Sequence, residues 1–227
     1  MGLFERVLIL ETSSKIGEVA VASADGVLTH RFLPEARRHA RDLTARCEEL
    51  LAERSWKARD ITAVIVSIGP GSYTGLRIGI ASAKALAYST GCALFAVPTF
   101  SAIAERIAAT AEKLEIIADA QQGQVYCQRW MKLEGGWEEA DAVRIRLFAE
   151  WAADVAAGSS IAGPASSMYA EKLPAGANLV REEFRESSSV GLLKLAMRQE
   201  SRWRAAGWDL EPIYLRGSSA EEKRKLA

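Results

Sequence analysis

Gly69-Pro70-Gly71-Ser72-Tyr73-Thr74-Gly75-Leu76-Arg77-Ile78-Gly79 is the stretch that decides the fold. It follows an apolar run, Ala63 to Ile68, that reads as a buried strand. It leads into a helical pattern from Leu76 to about Thr90, which Gly91 is placed to stop. Glycines at a strand-to-helix junction permit positive φ and close backbone approach, and a helix start offers unpaired N–H groups. Two readings stay open on spacing alone. One is a phosphate-holding loop built from Gly69, Gly71, Ser72, Thr74, Gly75 and Arg77, and the other is a tight turn with no ligand. A Walker A loop is excluded because no Lys follows a usable glycine, and the third glycine comes one residue late for a dinucleotide fingerprint.

Upstream, Arg6 to Glu11 reads as a buried strand ending in Thr12-Ser13-Ser14. Glu18 to Ala24 and Val27 to Leu33 flank Asp25-Gly26, a tight-hairpin signal, which gives three antiparallel strands in a row. From about Arg37 to Trp56 the period turns helical, with Leu43, Cys47, Leu50 and Leu51 on one stripe. Downstream, Leu94 to Val97 is a strand, and Pro98 and Thr99 open a helix expected to reach about Lys113. Leu114 to Ala118 and Gln124 to Trp130 are strands around Gln121-Gln122-Gly123. Beyond Gly135-Gly136 the pattern is sparser: a helix near Phe148 to Ala156, a strand near Ser160 to Ala162, and a helix from about Val190 to Ala205. The mixed-charge tail, Glu221 to Lys225, is expected to fray.

Strands alternating with helices imply an α/β fold. The expected organisation is two subdomains, residues 1–104 and 105–211, with residues 212–227 returning to the first before fraying. Lys plus Arg and Asp plus Glu both total 29, so the net charge is zero, and the basic excess of a protein that grips RNA alone is missing. Cys47, Cys92 and Cys127 lie far apart in no CxxC pair, which argues against a disulfide framework or a cysteine zinc site. The run Val7 to Leu10 is too short for a signal core and nothing approaches a membrane span, so the chain reads as cytoplasmic with no membrane contact.

Gly75, Gly79, Ala83 and Ala87 recur every four residues, a small-residue stripe on the second helix. Such a stripe admits a close partner helix, or packs onto the domain's own sheet. His30 and His39 are unpaired in sequence and read as surface or capping residues.

Taken together, GPGSYTGLRIG and the small-residue helix with Lys84 resemble the bacterial TsaB (YeaZ) family. Ile9-Leu10-Glu11-Thr12-Ser13, Asp119-Ala120 through Val125-Tyr126, and Pro212 to Arg216 match further family segments in the same order. The resemblance implies a ribonuclease-H-like fold of the actin-like ATPase superfamily, with two similar subdomains of mixed sheet flanked by helices. It also implies a non-catalytic accessory subunit that activates the relative TsaD. TsaD transfers threonylcarbamoyl to the adenosine next to the tRNA anticodon.

On that resemblance the partners are a TsaD-like catalytic subunit, a TsaE-like ATPase, and a second copy of this chain when TsaD is absent. Contact with tRNA comes only through the complex. The partner surface falls on the first two helices, at Leu43, Cys47, Leu50, Gly75, Gly79, Ala83 and Ala87. TsaD's metal-binding His-x-x-x-His pair falls on Thr99 and Ile103, so neither a metal nor a required cofactor is expected. Glu11, where the family commonly has Asp, and Asp119 stand as vestigial cleft acids. An Arg usually stands near Gln121 in the family, and its loss here leaves at most weak nucleotide binding. The alternatives are an ATPase or kinase using Glu11 and Asp119, and a TsaD-like metal-dependent transferase acting alone.

Overall fold

Arg6–Glu11 (β1) alternates its side chains between two buried faces: Leu8 and Leu10 point to one, Val7 and Ile9 to the other. A strand buried on both sides needs cover on both sides, and the rest of the first layer supplies it. The computed structural model describes residues 2–26, 28–33, 39–108, 110–205 and 209–215. Gly17–Ser23 (β2) and Leu28–Leu33 (β3) run antiparallel beside β1, while Ala63–Ser67 (β4) and Ala93–Val97 (β5) run parallel, in the order β3-β2-β1-β4-β5. Helices His39–Glu53 (α1) and Tyr73–Thr90 (α2) cover the Leu8–Leu10 face.

Past β5, Thr99–Ala104 (α3) leads to a second mixed sheet. Its strands are Lys113–Asp119 (β6), Gln124–Leu133 (β7), Gly136–Glu139 (β8), Arg144–Leu147 (β9), Ser160–Ala162 (β10) and Asn178–Leu179 (β11). The order is β11-β10-β6-β7-β8, with β9 also pairing β7. Phe100, Ile103 and Ala104 of α3 cover one face. Phe148–Asp154 (α4) and Pro164–Met168 (α5) cover the other, with Trp151 and Ala165 buried. Two mixed sheets flanked by helices make this an α/β fold of the ribonuclease-H-like, actin-like kind.

The chain then recrosses. Ser189–Arg198 (α6) and Glu200–Trp203 (α7) place Leu192, Leu195, Ala196 and Trp203 on the Val7–Ile9 face of the first sheet. Arg204 bridges to Phe95 and the Ala205 N–H donates to the Leu94 carbonyl. The return to the first layer therefore begins at about residue 189, well before the expected boundary at 211. Residues 209–215 lie along α2, with Lys84 Nζ donating to the Leu210 carbonyl at 3.1 Å and the Ile213 N–H to the Ile68 carbonyl at 2.8 Å. The expected frayed tail lies outside the described residues.

Two expectations change. The helix from Thr99 stops at Ala104, nine residues short of Lys113, although Glu-Arg-Ile-Ala-Ala-Thr-Ala-Glu-Lys is a good helical sequence. Here propensity yields to topology: the chain must span from one sheet to the other before Lys113 joins β6. The expected helix to Ala205 breaks at Gln199, which leaves helical geometry at φ −131°, ψ 52° and divides α6 from α7.

A very close joint lies between α2 and Thr12, the residue after β1. A Cβ on Gly75 would stand 2.1 Å from the Thr12 carbonyl oxygen, and one on Gly79 would stand 2.2 Å from Thr12 Oγ1. Only glycine permits this seating. Gly75→Ala is expected to cost about 1–3 kcal/mol, the usual range for overpacking, read from urea denaturation. Gly135→Ala, whose new methyl meets nothing within 4 Å, is the control and should stay within about 0.5 kcal/mol of wild type.

Candidate functional site

Between the ends of the two sheets lies a cleft of about 500 Å³. Its first wall is the β1–β2 turn at Ser13, Ser14 and Lys15. The second is the glycine loop from Pro70 to Thr74, and the third is the β6–β7 turn from Asp119 to Gln121. Sequence dictates each wall. The glycine loop is stitched to the first turn by the Ser72 N–H donating to the Ser13 carbonyl at 2.7 Å, with Gly71 packed so closely that a Cβ would lie 2.3 Å from that oxygen. Ser72 then caps α2, its Oγ accepting from the Gly75 N–H at 3.2 Å. In the third wall Gln121, Gln122 and Gly123 all take positive φ, and the Asp119 carboxylate fixes the bend by accepting from the Gln121 N–H at 2.8 Å.

Gly71, Ser72 and Thr74 thus reach the cleft, while Gly69, Gly75 and Arg77 do not line it. Gly69, at φ +106°, makes the turn under Ile213. Arg77 leaves the cleft to stack 4.1 Å over the Tyr73 ring, and its Nε donates to Tyr214 Oη at 2.7 Å. Tyr73 and Tyr214 themselves stand 5.1 Å apart, so the closing segment is clasped onto the glycine loop.

The two expected cleft acids separate. Asp119 stands exposed in the cleft wall. Glu11 is wholly buried and does not line it. Its carboxylate accepts from the Ser13 N–H at 2.7 Å and from the hydroxyls of Ser13 (2.5 Å), Ser67 (3.1 Å) and Ser187 (2.5 Å). Glu11 is therefore corrected from a cleft acid to a buried fastener joining β1, β4 and the segment that leads into α6. Glu18 repeats the device: it accepts from the N–H and hydroxyl of Ser189 at 2.9 and 2.7 Å, at the start of α6 where negative charge is favoured. His30 Nδ1 lies 3.0 Å from the Glu18 carboxylate. The sequence did carry a signal for this pair, acids at both ends of the first turn and a Ser187-Ser188-Ser189 run, but nothing in its spacing joined them.

Thr99 and Ile103 are buried in α3, Thr99 against the cleft and Ile103 among Phe100, Leu114 and Ile116. Among the described residues no group of three or more His, Cys, Asp or Glu is placed to hold a metal ion. No helix among them is long and apolar enough to cross a membrane.

Residues 27–199 match the sequence model of a family described as TsaD, tRNA N6-adenosine threonylcarbamoyltransferase. The tRNA threonylcarbamoyladenosine biosynthesis protein TsaB of Bacillus subtilis is 28% identical over 145 residues, 64% of this chain and 63% of that protein. The protein of the same name from Escherichia coli is 30% identical over 143 residues, 61% and 62% of the two chains. YeaZ of Pseudomonas aeruginosa superposes with a TM-score of 0.76 at 24% identity, covering 93% of this chain and 100% of that one. The chain belongs to this family as a TsaB/YeaZ protein. It spans less than two thirds of the length of the curated relatives it matches.

For a TsaB/YeaZ chain, the expected partner surface needs correction. Gly75, Gly79 and Ala83 are buried in this chain's own first layer, seated on Thr12 and the sheet. Leu43 and Leu50 sit in the same core, and Cys47 and Ala87 pack against it half-buried. A stripe of small residues fits a close neighbour, and here that neighbour is β1. The face of α2 left outside carries Arg77, Ala81, Ala85 and Tyr88, with Ile78, Ser82 and Leu86 half-buried beside them.

Burial pushes the Glu11 carboxyl above its ordinary value of 4.5, outweighing the hydrogen bonds from Ser13, Ser187 and Ser67 that pull it down. A raised folded-state pKa means the neutral form is favoured by folding. Its contribution is complete below the ordinary value and is lost as pH rises through the folded value. Glu11→Gln keeps the neutral shape and removes the titration. The melting temperature of the variant relative to wild type should therefore climb as the pH is raised above 4.5. A difference that stays flat across that range would show that Glu11 titrates alike in the folded and unfolded chain.

Proposed function

We propose that this chain is the non-catalytic accessory subunit of a tRNA threonylcarbamoyladenosine system, binding a TsaD-like catalytic subunit and holding it in a competent state. The observation that carries the reading is α3. Where the resemblance to TsaD calls for two imidazoles four residues apart on one helix face, this chain has Thr99 and Ile103, and Ile103 is sealed in the second core. Neither a threonine hydroxyl nor an isoleucine side chain replaces an imidazole ligand. The names of the Bacillus and Escherichia relatives supply the pathway.

The docking surface under this reading is the outward face of α1 and α2. Ala81 and Ala85 lie four apart and exposed, so a partner helix can approach the α2 backbone there without disturbing the inward glycines. Thr44, Ala45, Glu48 and Ala52 of α1 are exposed alongside. A second copy of this chain uses the same face when the catalytic subunit is missing, a TsaE-like ATPase joins the assembled pair, and tRNA is met through the complex. The cleft, with Glu11 withdrawn from it, is left with at most weak nucleotide binding.

Ala81→Glu with Ala85→Glu tests the surface. Both sites are exposed, so the melting temperature should hardly move, while binding to the TsaD-like subunit in titration calorimetry should weaken at least tenfold, about 1.4 kcal/mol. Undiminished binding by the folded double variant would place the interface elsewhere. No binding of the wild-type chain would remove the accessory reading itself.

A further inference from the structure

The segment at residues 209–215 closes a further side of the cleft, through Ile213 and Tyr214. It forms neither helix nor strand. Pro212 near its centre has no N–H to give to a ladder. At one end Leu210 packs half-buried against the first core, and its carbonyl accepts from Lys84 Nζ. In the middle the Ile213 N–H donates to the Ile68 carbonyl at 2.8 Å. At the far end Tyr214, 38% exposed, rests its ring 5.1 Å from that of Tyr73.

Arg77 clamps that far end. Helical side chains lean toward the helix N-terminus, and the Arg77 guanidinium does so, lying 4.1 Å over the Tyr73 ring and 5.5 Å over that of Tyr214. Its Nε donates to Tyr214 Oη at 2.7 Å. Tyr73 and Tyr214 line the cleft, whereas Arg77 holds both from outside it. Tyr73, Arg77, Ala81 and Ala85 recur every four residues, so the clamp ends the exposed stripe of α2.

Beneath the strap lies Leu76, which lines the cleft and yet is 1% exposed. Leu76 and Ile213 converge on Gly69: a Cβ there would stand 3.0 Å from Leu76 Cδ1 and 3.7 Å from Ile213 Cβ. A cation stacked on exposed rings and an exposed hydrogen bond are each weak. The strap can therefore let go locally while the two cores stay folded.

We propose that residues 209–215 are a latch on the cleft, held shut by Arg77. Seated, Ile213 and Tyr214 close the side beside the glycine loop. Released, they uncover Leu76 and widen the entrance. The latch is worked from the outer face of α2, where Arg77 sits. The proposal does not depend on the accessory role.

Arg77→Ala removes the clamp at an exposed helical position outside the cleft. Nuclear magnetic resonance of the whole chain reads the result. The Ile213 amide reports on the strap, and the Leu76 methyls report on the surface it covers. The Thr99 amide, which donates to the Gly69 carbonyl at 2.8 Å, reports on the fold beneath. In the variant the Ile213 N–H should exchange with solvent about tenfold faster, as loss of one surface interaction implies. The Leu76 methyls should broaden more strongly with a soluble gadolinium chelate, and Thr99 exchange should hold. Arg77→Lys, which keeps a cation and a donor but no planar stack, should fall between the two. If Arg77→Ala loosens Thr99 as well, Tyr214→Phe, which deletes only the hydroxyl that Arg77 reaches, repeats the reading with α2 untouched. Wild-type exchange at Ile213 in the folded variant would show that Arg77 is not the clamp. Faster exchange at Ile213 with unchanged broadening of Leu76 would show that the strap does not cover the cleft. Either result overturns the proposal.

Discussion

The seating of α2 on the backbone and side chain of Thr12 is the constraint on which the rest of this molecule turns. It requires two missing Cβ atoms, at Gly75 and Gly79, because either one would drive a methyl to about 2 Å from a Thr12 oxygen. With α2 held there, Leu76, Ile80 and Ala83 fall into the first core. The Ser72 cap and the loop before it are drawn against Ser13, and so become one wall of the cleft. The same rotation of the helix fixes what faces outward, namely Ala81 and Ala85. One close contact thus sets the core, the cleft and the outward face of α2 proposed for docking together.

Two buried carboxylates then hold the second half to the first. Glu11 and Glu18 stand at the two ends of the β1–β2 turn and bind Ser187 and Ser189, the residues through which the chain re-enters the first layer. Neither acid faces the cleft. Within the second sheet a related solution appears: buried Glu115 accepts from Arg129 Nε at 2.6 Å and from the Trp151 indole at 3.2 Å. A buried acid with its lone pairs satisfied links elements strongly because leaving one partner unpaired is costly.

The first layer was legible because its signals are local. An alternating apolar strand, an Asp-Gly turn and a glycine loop before a helix each carry their geometry within a few residues. What was not legible depends on partners far away in sequence. The early end of α3 follows from the reach needed to join β6, which no helical propensity reports. The role of Glu11 depends on Ser187, 176 residues away. The stripe at Gly75, Gly79 and Ala83 was visible as a stripe, but periodicity says only that something comes close, not whether it is this chain's own strand or another protein's helix. Strands β8 and β9, with few buried residues, lacked the alternation that would have marked them.

The functional reading rests on the same geometry. Under the proposed reading, Thr99 and Ile103 of α3 stand where the resemblance to TsaD calls for metal-binding imidazoles, and the chain holds a partner that carries the transfer. Reconstituted threonylcarbamoyl transfer to tRNA measures this most directly, with this chain and the TsaD-like subunit supplied separately and together, alongside a TsaE-like ATPase and an activated threonylcarbamoyl donor. The account predicts no transfer by this chain without the TsaD-like subunit, and strong dependence of that subunit on this chain. Transfer by this chain in the absence of the TsaD-like subunit would contradict it.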